Sequence, residues 1–221
     1  SLERGGLTDK TIVDPAFGGW SEAKTLADDR ETFRRLREFR ALDRPILVSI
    51  NRKNFLKEIA GRDTDAALPV SLGATAMAVE RGAHVIRTHD VAATRDAALV
   101  GRAFTSDRVT TAHVEERDVR STRELRRHVD RVTDGDGRVD VPWERVASVH
   151  DLSADATETL RRRAREAGLQ TFGREELLVV GPTAGFATLE AALSGKSDAL
   201  ASVAKGLGEI VSNEKTYTGW E

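Results

Sequence analysis

The 221-residue chain contains no cysteine, which excludes disulfides, thiolate nucleophiles and cysteine-based metal sites. No apolar run approaches the ~20 residues that a membrane-spanning helix needs, and no signal-peptide pattern opens the chain. A cytoplasmic setting without a membrane partner is therefore the expectation. Positive charge is not in excess either: the formal net charge of -2 argues against a nucleic-acid partner held by a basic surface. Lysine itself is scarce. Only seven of the 34 basic residues are lysine, the other 27 being arginine, so a lysine inside a motif stands out. With 39% hydrophobic and 32% charged residues, the chain suits one large or two small domains with well-solvated helices.

The first half alternates short apolar runs with helical patterns. Thr11-Ile12-Val13 stops at Asp14-Pro15 and the glycine-bearing Phe17-Gly18-Gly19. Asp28 and Asp29 then suit the first turn of a helix running to about Phe39, where acids complement the helix dipole. Ile46 to Ile50 reads as a buried parallel strand ending in Asn51-Arg52-Lys53-Asn54. Helical spacing predicts a short helix at 55–59 and a longer one at 71–81, with Gly82 as its stop. A strand over 84–88 and a helix over 94–104 complete the series. The β-α-β-α-β-α order implies a parallel sheet with right-handed crossovers.

Each strand ends in groups able to meet a ligand: Asp14, then Arg52 and Lys53, then Arg87 and His89. In parallel α/β layouts ligands collect at the carboxyl ends of strands. Arg87 and His89 are two residues apart and point to the same side of a strand. Taken alone, that ending could equally be a salt-bridged strand end without a ligand. Three such endings in succession suggest a site, in which an aspartate accepts from an amino-heterocycle while basic groups hold ring carbonyls or a diphosphate.

Asp14-Pro15-Ala16-Phe17-Gly18-Gly19, Asn51-Arg52-Lys53-Asn54 and Arg87-Thr88-His89-Asp90-Val91 resemble, in order and spacing, three motifs of dihydropteroate synthases. That family carries an Asp-Pro-Gly-x-Gly-Phe-Gly-Lys turn, a Ser-Arg-Lys-Ser turn and an Arg-x-His-Asp-Val strand end. The resemblance covers about residues 1–105. It implies the last three βα units of a (β/α)8 TIM barrel; residues 106–221 lie beyond it and read, from their own pattern, as a small appended α/β domain. It also implies a transferase of folate biosynthesis, joining p-aminobenzoate to 6-hydroxymethyl-7,8-dihydropterin diphosphate with release of diphosphate. Carried over, Asp14, Lys53 and Arg87 bind the pterin, and Arg87 and His89 hold the diphosphate. Lys53, Arg87 and His89 are then the catalytic set, and Asn54 stands where p-aminobenzoate is met. Lys24 corresponds to the lysine closing the first motif, after three extra residues.

Departures from the pattern are Ala16 for a glycine, Gly19-Trp20 for Phe-Gly, and Asn51 and Asn54 for serines. Ala66-Ala67 stand where the family has Glu-Arg, which is expected to loosen that loop. The family's first strand, with its loop for diphosphate and Mg2+, finds no match, and neither do the middle strands. The expectation is therefore a fragment, inactive alone, whose magnesium ligands and remaining barrel lie in a missing N-terminal part. A fusion with folylpolyglutamate synthase and a homodimer are among the forms the resemblance implies. The alternatives are a pterin-dependent methyltransferase barrel and a barrel remnant acting as a scaffold.

Beyond residue 105 the motifs end. Arg108 to Val114 alternates like a half-buried strand, Ser121 to Val132 reads as an arginine-rich helix, and further strands are expected at 146–149 and 177–180. Helices follow the spacing at 154–167, 186–193 and 197–211. Gly181-Pro182-Thr183-Ala184-Gly185 lies between strand and helix, where phosphates can bind, but lacks the ending of a P-loop. Asp134-Gly135-Asp136-Gly137 lacks the remaining positions of a calcium loop. His113, His128 and His150 have no metal-ligand spacing.

Overall fold

A computed structural model describes residues 8, 10–18 and 23–213. The chain divides into two compact units, Ser1–Thr105 and Ser106–Glu221.

In the first unit, helix α1 (Leu26–Arg34) starts at Thr25, whose hydroxyl accepts from the Asp28 amide while Asp28 accepts from the Thr25 amide. This reciprocal cap satisfies two backbone donors that would otherwise have no partner. The helix ends earlier than its apolar spacing predicts. Arg81 donates to the Phe33 carbonyl at 2.8 Å, and the chain continues as a 3₁₀ segment, Leu36–Leu42. Arg35 and Glu38, paired through two 2.9 Å bonds, span one tight turn of it. Strand β1 (Leu47–Val48) pairs in parallel with β2 (Val85–Ile86), and Val13 bridges in parallel to Ile46 on the other edge. The Thr11–Val13 run thus contributes a single bridge rather than a strand. Helices α2 (Asn54–Ala60), α3 (Leu68–Glu80) and α4 (Val91–Ala103) follow in the expected order.

Ile46, Val48 and Ile50 alternate inward and are fully buried against Phe17, Phe33, Leu36, Phe55, Leu56 and the alanines of α3. Phe17, Phe33 and Phe55 form an aromatic triangle with centroids 5.7 to 6.0 Å apart. By the same alternation, Leu47, Ser49, Val85, Arg87 and His89 belong to the opposite face of the sheet. Val85, Arg87 and His89 are exposed there.

The second unit is a four-stranded sheet in the order β3-β4-β6-β5: Val114–Glu116, Arg145–Val149, Leu177–Gly181 and Gln170–Phe172. Every pairing in it is antiparallel. Helix α5 (Thr122–Thr133) shares one core with Val146, Leu178 and Val180. Helices α6 (Ala154–Glu166), α7 (Thr183–Leu193) and α8 (Asp198–Ser212) share another with Ala147, Val149, Leu177 and Val179. Burial on both faces explains why β6 reads as one continuous apolar run. The alternating stretch 108–114 is not one strand: Thr111 and Val114 exchange bonds across a turn, and Glu116 donates to the Val109 carbonyl. The segment folds back on itself.

The strand-to-helix turn at Gly181 to Gly185 is already occupied. Glu144 accepts from the Thr183 amide at 3.0 Å, so a carboxylate of the chain itself sits where a phosphate was considered. That backbone bond holds the Glu144 carboxyl below its ordinary range.

Candidate functional site

Because Val13, β1 and β2 are parallel neighbours, the residues that follow them emerge at one edge of the sheet. Asp14 follows the first strand, Asn51 to Asn54 the second, and Arg87 to Asp90 the third. Two contacts tie these loops together. Gly18 of the first loop adopts φ +104°, and a Cβ there would lie 3.0 Å from Lys53 Nζ of the second. Between the second and third loops, Asn51 Nδ2 donates to Thr88 Oγ1 and to Asp90 Oδ2, both at 3.1 Å.

The first loop is pinned from below. Phe17 is 1% exposed in the aromatic triangle, while Asp14 is exposed and its Oδ1 accepts from the Ala16 amide at 2.8 Å. Ala16 takes φ +57°, a left-handed conformation that a glycine would adopt more readily. Gly19 and Trp20 lie outside the described residues. Lys24 turns back into this loop: its ammonium donates to the Ala16 carbonyl and pairs with Asp29 at 2.8 Å. Asp29 is 2% exposed and accepts from the Gly18 amide with both carboxylate oxygens, at 3.2 and 3.1 Å. Sequence spacing assigns Asp29 only to the first turn of α1. Its tie to residues eleven positions earlier has no local signature.

In the second loop the two basic residues part company. Arg52, at φ +54°, grips Asp90 through Nε and Nη2, both at 3.1 Å, and reaches the carbonyls of Thr64 and Asp65 through Nη1. It is a brace between loops, not the ligand-holding group that its position at a strand end suggests. The bond from Arg52, followed by that from Asn51, holds the Asp90 carboxyl below its ordinary range, and the Asp90 bond raises the Arg52 guanidinium. Arg52 also holds the loop that carries Ala66 and Ala67, helped by Lys57 on Thr64 Oγ1 and Asp63 on the Ala66 amide. That loop is thus tethered despite lacking the Glu-Arg pair. Lys53 is left half-buried beside Gly18, and Asn54 is exposed as the first residue of α2.

The third loop alternates. Thr88 turns inward, bonding Thr94 Oγ1 at 2.9 Å and the Asp90 amide at 3.1 Å. Arg87 and His89 fall on the other side and are both exposed. The edge therefore presents one carboxylate, one ammonium, one guanidinium and one imidazole. This set can bind a heterocycle through donors and acceptors and an anion through charge. Among the described residues no group of three or more His, Asp or Glu side chains could hold a metal ion. No helix among them is long and apolar enough to cross a membrane.

Comparison with known proteins places likeness on the same unit. Residues 1–89 match the model of a family described as pterin binding enzyme. The dihydropteroate synthase of Escherichia coli K12 is 33% identical over 105 residues, which are 47% of this chain and 36% of that protein. A probable bifunctional folylpolyglutamate synthase/dihydropteroate synthase of Haloferax volcanii is 36% identical over 90 residues, 40% of this chain and 10% of that protein. Among solved structures, a Coxiella burnetii dihydropteroate synthase in complex with pteroic acid is 31% identical, with a TM-score of 0.44. That match covers 47% of this chain and 39% of the other. The chain thus spans about a third of the length of the single-function relatives it matches.

Proposed function

We propose that residues 1–105 are the pterin-binding wall of a dihydropteroate synthase, formed by the last three βα units of its (β/α)8 barrel. The observation that carries this reading is the coincidence of two independent patterns. The three stretches that resemble the family's motifs are the three loops that emerge at one edge of a parallel sheet. The exposed sheet face of Val85, Arg87 and His89 suits the interior of a barrel whose other strands lie outside these 221 residues. Residues 106–221 form the appended unit, and the isolated chain is inactive.

In the proposed reaction the bond between the exocyclic pterin carbon and the diphosphate oxygen breaks. The p-aminobenzoate nitrogen forms the new C–N bond and gives up a proton, and diphosphate leaves with the bond's electrons. Asp14 accepts from the pterin amino group and ring nitrogen, and Lys53 donates to the ring. Arg87 covers the pterin face and, with His89, neutralises charge growing on the leaving group. Asn54 meets p-aminobenzoate. The described residues offer no magnesium shell, and ligands for Mg2+ would come from the missing part of the barrel.

The test is p-aminobenzoate-dependent diphosphate release by the intact protein that carries the whole barrel. Lys53→Ala is expected to lower turnover by roughly 100-fold or more, since the pterin then loses the donor that holds its ring in line for the reaction. Near-normal turnover of the variant would remove Lys53 from the site. Release independent of p-aminobenzoate, or methyl transfer in its place, would reject the synthase assignment.

A further inference from the structure

The buried charge beneath the site is unlike its surroundings. The first unit's core is aliphatic and aromatic, yet Asp29 is buried at its margin with 2% exposure, paired with a single ammonium. Ion pairs taken out of water gain little net stability, and an apolar pair of similar volume often serves packing as well or better. What apolar residues cannot do is hold a backbone amide. Both Asp29 oxygens accept from Gly18, and its partner Lys24 donates to the Ala16 carbonyl. On the far side, Gly18 meets the end of Lys53, and Ala16 gives its own amide to Asp14.

We infer that Asp29, through Lys24 and the Ala16–Gly18 turn, is the positioning residue that sets the places of both Asp14 and Lys53. The inference rests on the function proposed above for the identity of the ligand, but not for the coupling itself. Asp29 touches no reacting atom. It fixes a peptide segment whose Ala16 amide is bonded to Asp14 and whose Gly18 lies beside the Lys53 tip. A Cβ on Gly18 would fall 3.0 Å from Lys53 Nζ, so displacing that peptide changes the surface on which the lysine rests.

The experiment compares the intact protein with Asp29→Asn and with the double variant Lys24→Met/Asp29→Leu, which keeps volume but removes both backbone contacts. Three readouts are taken: thermal melting, the NMR signals of the Gly18 amide and the Lys53 ε-carbon, and the Kd for 6-hydroxymethylpterin. The double variant is expected to melt like the parent, shift both NMR signals and bind the pterin about 10-fold more weakly. Asp29→Asn, which retains one acceptor for Gly18, is expected to recover part of the affinity. A folded double variant with unmoved Gly18 and Lys53 signals would overturn the inference, whatever its affinity. If the parent does not bind the pterin, the functional reading fails, and the two NMR signals still decide the coupling.

Discussion

The charge network of the second unit makes a prediction whose size follows from geometry. Glu176 lies in the loop before β6 and accepts from Arg131 at 2.6 and 2.7 Å, from Ser148 at 2.6 Å and from Arg117 at 3.2 Å. Burial pushes its carboxyl up, but the bonds from Arg131 and Ser148 and the charges of Arg131 and Arg117 bring it down from 4.5 to about 2. A carboxyl with a depressed folded value contributes stability that is present above the unfolded value. That stability is lost as pH falls toward the folded one. At about 1.4 kcal/mol per pH unit this corresponds to about 3 kcal/mol. Discounting for the 22% of the side chain that stays in solvent leaves about 2 kcal/mol. Glu176→Gln should therefore lower the urea unfolding free energy of the second unit by about 2 kcal/mol at pH 7. The gap from the parent should close as pH falls from about 4.5 toward 2. Trp143, packed against the α5 core, reports this unit's unfolding if Trp20 and Trp220 are replaced by phenylalanine in both proteins. A gap that stays constant between pH 7 and pH 3 would refute the charge argument and leave only packing.

Three further outcomes concern the first unit. Gly18→Ala places an L side chain at φ +104° against Lys53 and should cost about 1–3 kcal/mol in chemical denaturation, while weakening pterin binding in the intact protein. Phe17→Ala removes one corner of the aromatic triangle and should cost about 3–5 kcal/mol; a loss below about 1 kcal/mol would show the loop to be anchored elsewhere. Arg52→Lys keeps the charge but cannot span Asp90 and two carbonyls at once. Faster amide hydrogen exchange at Ala67 and Asp90 is expected, with its dependence on Asp90 ionisation lost.

Much of the first unit was legible because its signals are local. A strand that ends in Arg87-Thr88-His89 declares by alternation which side chains share a face, and Thr88 does turn inward while Arg87 and His89 do not. Arg52 was misread because a strand-end arginine and a brace look alike until Asp90, 38 residues later, is seen to receive it. The same holds for Asp29, whose partner amide lies across a turn. In the second unit, the apolar run 177–180 reported two-sided burial without reporting strand direction. The alternation over 108–114 was real but was cut by a turn at Ala112-His113. β5, three residues between Gly168 and Gly173, is too short to carry a period and was missed. The pterin enters only through the family resemblance, since the geometry by itself shows an edge with one carboxylate and three basic groups.

The grip of Asn51 and Arg52 on Asp90 makes the second and third loops one mechanical body. Lys53 sits directly after one end of that body, and Arg87 and His89 directly before the other. Lys53 is therefore mechanically coupled to Arg87 and His89. All three are carried on one braced unit, while the Asp14 loop is anchored separately, through Phe17 in the aromatic triangle and through Asp29 and Lys24 on Gly18 and Ala16.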